Sequence, residues 1–74
     1  MIIRTYPSNW LIIGEEKSLT IETSADKIDS SVYDNVDEIV EDFIERIEKA
    51  GFTVDENAKI KIETLVNSHF SYMF

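Results

Sequence analysis

The sequence predicts an α+β fold: a three-stranded antiparallel β-meander packed against a long acidic amphipathic helix and a second, C-terminal helix. Three observations carry this. Ahead of residue 25, apolar residues come in short runs or with a period of two, separated by turn residues. From residue 35 onward they recur with the 3.6-residue period of a helix. Capping residues stand at both ends of that helical stretch.

The strands come first. Residues 2–6 are rich in β-formers and end at Pro7-Ser8-Asn9, a turn triplet. Residues 10–13 form a continuous apolar run, the pattern of a central strand or of one covered on both faces. Gly14-Glu15-Glu16-Lys17 then supplies a polar turn. Over residues 18–24, Leu19 and Ile21 point one way while Ser18, Thr20, Glu22 and Ser24 point the other, as in a half-buried strand. Short turns between successive strands favour the antiparallel meander.

Residues 25–31 are a polar connector. Beyond it, Val36, Ile39, Val40, Phe43, Ile44, Ile47 and Ala50 fall on one helical stripe, predicting a helix over residues 35–50. Asn35 with Glu38 has the spacing of a capping box, and Ser31 with Asp34 offers a start one turn earlier. Gly51 stands where a left-handed C′ residue belongs, with Phe52 placed to pack back on Ile47.

The last third admits two patterns. As a helix over residues 54–68, capped by Thr53 with Glu56, it puts Val54, Ala58, Ile62, Leu65, Val66, His69, Phe70 and Met73 on one face and leaves Ile60 and Phe74 outside. As a strand or hairpin turning at Asn67-Ser68, it aligns Ile60, Ile62, Val66, Phe70, Tyr72 and Phe74. The cap and the larger helical count favour the helix.

Composition bounds the function. Seventy-four residues are expected to make a single small domain over residues 1–74. Such a chain buries only about 60% of its unfolded surface, yet 43% apolar residues with eight aromatics suffice for a modest core. Without cysteine there is no disulfide or thiolate chemistry. No apolar run approaches the ~20 residues of a membrane span, and the N-terminus lacks signal-peptide features, so a cytoplasmic location is expected. The net charge of −8 disfavours direct binding to nucleic acid or an anionic membrane and points toward a basic protein surface.

Catalytic constellations are missing from the sequence. His69 is the only histidine, and glycine occurs only at positions 14 and 51, which leaves no nucleophile elbow, phosphate loop or zinc ligand set. Asp26, Asp29, Asp34 and Asp37 cluster without the calcium-loop pattern. No enzyme activity, metal or cofactor is expected.

The acidic helix face makes the best functional case. Asp34, Asp37, Glu38, Glu41, Asp42, Glu45 and Glu48 are opposed only by Arg46 and Lys49. Over ~22 Å of helix this is about one carboxylate per 3 Å, comparable with the phosphate density of a nucleic-acid strand. Like-charge i,i+4 pairs each cost ~0.2–0.5 kcal/mol, so the row does not serve folding. The expected function is therefore a non-enzymatic protein-binding module, in its sharpest form a nucleic-acid-mimicking inhibitor of phage or mobile-element type. There Glu38, Glu41, Asp42, Glu45 and Glu48 meet a basic surface, with aromatics such as Trp10 and Tyr72 as anchors. The alternative is a small structural or assembly subunit, a homodimer formed through its aromatic C-terminus or a sheet edge.

Overall fold

A computed structural model describes residues 1–24, 28 and 32–71. Three strands, β1 (Ile2–Thr5), β2 (Asn9–Ile13) and β3 (Ser18–Glu22), precede two helices, α1 (Val36–Lys49) and α2 (Glu56–Phe70). The strands form an antiparallel meander in the order β1-β2-β3, with Thr5 opposite Trp10 and Trp10 opposite Ile21. The α+β architecture is the one the sequence patterns predict.

The register sorts the side chains. Ile3, Trp10, Ile12, Leu19 and Ile21 share the face that meets the helices, whereas Ile2, Arg4, Leu11, Ile13, Thr20 and Glu22 share the other. The apolar run of β2 thus belongs to a central strand that, among the described residues, the helices cover on one face. Trp10 and Ile12 are fully buried, while Leu11 and Ile13 on the far face are half-buried.

Trp10 is the point where the elements converge. Its indole meets Phe43 of α1 edge-on at 5.2 Å between ring centroids, with Phe70 of α2 at 6.2 Å and His69 at 5.7 Å. Among the described residues its Nε1 has no hydrogen-bond partner. Ile39, Ile47, Ile62 and Val66 complete the contact between the helices and the sheet.

α1 is capped at both ends. Asn35 Oδ1 accepts from the Glu38 amide at 3.1 Å, and the Glu38 carboxylate accepts from the Asp34 amide at 2.8 Å. The reciprocal bond of the box therefore lands one residue earlier than the Asn35 amide. At the other end Gly51 adopts φ 94°, a left-handed conformation that favours glycine. The Phe52 amide bonds the Ile47 carbonyl and the Gly51 amide bonds the Glu48 carbonyl, which together make a Schellman motif. This corner is clamped against the sheet. Phe52 is buried so close to Gly14 that a Cβ there would lie 2.8 Å from its ring, and Lys17 donates to the Gly51 carbonyl.

α2 starts two residues later than the sequence suggests. Asp55, not Thr53, is its cap: Asp55 Oδ1 accepts from the Ala58 amide at 2.8 Å. Residues 53–54 stay outside the helix, and Val54 packs against the core. Asn67 lies inside the helix, its amide donating to the Glu63 carbonyl, so no hairpin turns there. Phe70 is the last helical residue and is fully buried. The expected aromatic ending at Tyr72, Met73 and Phe74 lies outside the described residues. No helix among the described residues is long and apolar enough to cross a membrane.

Candidate functional site: the acidic face of α1 and its groove with α2

The buried stripe of α1 turns its carboxylates outward, but the structure divides them into two groups. The first is engaged within the molecule. Glu38 serves the helix cap. Asp42 is half-buried, accepts a 2.6 Å hydrogen bond from the Tyr33 hydroxyl and pairs with Arg46 at 3.2 Å. Burial first, and then the bond to Asp42, pushes the Tyr33 phenol up to about 12. Glu45 pairs with Lys49 at 2.8 Å, and its hydrogen bond to that ammonium holds the carboxyl below its ordinary range. Both are i,i+4 pairs open to solvent on at least one side, of the kind that contributes little to stability.

The second group faces solvent. Asp37, Glu41 and Glu48 are exposed, and no cation among the described residues pairs with them. Asp37 and Glu41 also line a groove of about 300 Å³ between the helices. Its apolar residues are Val40 and Ile44, and α2 contributes Glu63 and Lys59. Three carboxylates against one ammonium thus surround an apolar strip. Among the described residues no group of three or more His, Asp or Glu side chains is close enough to hold a metal ion.

Of the acids the sequence singles out, α1 therefore presents Glu41 and Glu48 outward, keeps Glu45 exposed but paired, and uses Glu38 and Asp42 for its own structure. Trp10 requires a correction. Expected as an aromatic anchor for a partner, it is fully buried at the centre of the core, where three rings and the inner sheet face cover it. The core claims the aromatics Tyr33, Phe43, Phe52 and Phe70 as well, leaving Tyr6 at 43% exposure. Tyr72 lies outside the described residues. Glu63 is the member that sequence reasoning misses. It belongs to another helix, and only the α1–α2 packing brings it beside Asp37 and Glu41.

Compared with known proteins, the chain matches no family model, no curated protein and no solved structure. Its site is read from its own geometry.

Proposed function

We propose that this chain is a non-enzymatic binding module that docks a basic protein surface through the outer face of α1. The observation that carries the reading is the groove in which Asp37, Glu41 and Glu63 stand beside Val40 and Ile44. A lysine or arginine side chain has matching chemistry, an apolar stem for Val40 and Ile44 and a charged head for the carboxylates. Glu48 and Glu45 extend the acidic ridge along the helix and would serve electrostatic attraction during encounter.

The narrower form, mimicry of a nucleic-acid strand, has less support. With Glu38 and Asp42 engaged internally, the outward acids Asp37, Glu41, Glu45 and Glu48 recur every third or fourth residue. That is one per ~5–6 Å of axis, sparser than the ~3.4 Å phosphate repeat. A basic groove that normally takes nucleic acid remains within the class of partner, but the recognition unit is the clamp on single basic side chains.

The test is affinity capture from a cell lysate with the wild-type chain and with Asp37→Gln/Glu41→Gln/Glu63→Gln as control. A genuine partner is retained at low salt, released as salt rises and absent from the control. Capture that is indifferent both to salt and to the triple substitution would exclude this surface.

A further inference from the structure

We propose that β3 is a self-pairing edge, and that two copies of the chain join antiparallel through it, centred on Thr20, into one continuous sheet. The paired juxtaposition of Leu19 and Ile21 across that centre is what fits a second copy. This inference goes beyond the reading of the acidic ridge and does not depend on it.

The argument begins with hydrogen-bond parity. Within an antiparallel ladder, residues alternate between bonding one neighbour and facing away from it. The Gly14 amide bonds the Lys17 carbonyl, and the Thr23 amide bonds the Ser8 carbonyl. Both pairs lie in the β2–β3 register, which also sets Ile12 opposite Leu19 and Trp10 opposite Ile21. Leu19 and Ile21 therefore spend their backbone groups on β2. Ser18, Thr20 and Glu22 turn theirs outward, and among the described residues no strand pairs with them.

Those outward residues are symmetric about Thr20. Folding the strand onto a copy of itself there sets Thr20 opposite Thr20 and Ser18 opposite Glu22 of the second copy. Each outward N–H and C=O meets another outward group, so the parity is satisfied along the whole strand. On the inner face Leu19 comes opposite Ile21 of the second copy, an apolar cross-strand pair of the kind that stabilises sheets. No like charges face each other. β3 also lacks the usual guards of an edge, since it holds no proline or lysine and its register with β2 runs without a bulge. Among the described residues a groove of about 590 Å³ runs between β3 and α1, lined in part by Leu19, Ile21, Ile28, Arg46 and Lys49.

The other edge does not offer this fit. β1 is shorter, and its outward backbone groups belong to Ile3 and Thr5 by the same parity, since the Tyr6 amide bonds the Asn9 carbonyl. A pairing that uses both of them sets Arg4 against Arg4 of the second copy, directly opposed like charges.

The test is cysteine cross-linking of the full chain, which has no cysteine of its own. In the proposed dimer, Thr20→Cys places two thiols across the axis with Cα atoms ~5.5 Å apart, within disulfide range. Ser18→Cys places its thiols four residues out of register, ~13 Å apart and beyond reach. Under mild oxidant Thr20→Cys should cross-link at least about tenfold faster than Ser18→Cys. Sedimentation should show a concentration-dependent dimer that strengthens with salt, because salt screens repulsion between two chains of charge −8. Binding of a basic partner has the opposite salt dependence, so the two readings fail separately. Thr20→Pro removes an N–H that β2 does not use and should abolish the dimer while circular dichroism still reports a folded chain. Equal cross-linking of the two cysteine variants, a dimer that survives Thr20→Pro, or a monomer up to about 1 mM would each overturn the proposal.

Discussion

α1 and α2 are nearly equal in length and pack against the same sheet face, yet they are held in different ways. α1 carries its determinants with it: a continuous apolar stripe, the Asn35 side-chain cap, the Glu38 carboxylate on the preceding amide and a glycine terminus locked by two nested backbone bonds. α2 has one cap, Asp55, and a less segregated sequence in which Ile60 stands 53% exposed. It also spends side chains on its own carbonyls, with Thr64 donating to Ile60 and Asn67 to Glu63, a habit that mildly weakens helices. The difference teaches that α1 is largely specified locally. α2 is specified by the surface it covers, above all through Ile62, Val66 and Phe70.

The largest effect should come where the two helices are equals. Phe43→Ala and Phe70→Ala each remove a fully buried ring from Trp10, and each should cost ~3–5 kcal/mol in denaturant unfolding. A much smaller loss for Phe70→Ala would mean that α2 is a peripheral strap and would break the comparison. The next effect belongs to α1 alone. The Tyr33 phenol, raised to about 12 in the folded chain, contributes stability that is present below its ordinary value near 10 and is lost as pH climbs from there through 12. Stability should therefore fall on the order of 2 kcal/mol more steeply in the wild type than in Tyr33→Phe over that window. Parallel alkaline profiles would show that the Tyr33–Asp42 bond does not tether the segment before α1.

Caps should separate the helices more finely. Asp55→Ala removes the N-terminal side-chain cap of α2 and should cost ~1–2 kcal/mol, whereas Asn35→Ala leaves the Glu38 bond to Asp34 and should cost ~0.5–1 kcal/mol. Reversed values, read from thermal unfolding, would contradict the view that α1 is the better supported helix. The smallest shift is the one that speaks to function. Glu41→Lys turns like-charge pairs with Asp37 and Glu45 into opposite-charge pairs and should stabilise the chain by about 0.5 kcal/mol, while abolishing capture of a basic partner. Stability gained together with binding lost is the signature of a residue kept for recognition. A destabilised variant would mean that Glu41 serves the fold instead.

Most of the architecture was legible because its signals are local. The change from a period of two to one of 3.6, the Pro7-Ser8-Asn9 turn, and Asn35 and Gly51 at the ends of α1 act over a few residues and need no knowledge of the rest of the chain. The misplaced cap of α2 marks the limit of that reasoning. Thr53 and Asp55 are both acceptable caps, and the choice falls to Asp55 in a structure where Val54 packs against the core. The site was legible only in part. The sequence showed that α1 carries a row of carboxylates, but not which of them would be occupied by Tyr33, Arg46, Lys49 and the helix cap.

By itself, then, the sequence determined the order of the elements, the kind of all but the last, the face that α1 buries and the acidity of the face it leaves. Hydrophobic periodicity and capping follow from covalent spacing along the chain. Tertiary structure alone decided that Trp10 is the hub of the core instead of a surface anchor, and that Glu63 joins Asp37 and Glu41 beside one groove. It also decided which backbone groups of β3 face outward. Each of these depends on which segments meet in space, and a contact between residues distant in sequence leaves no period or spacing from which to read it.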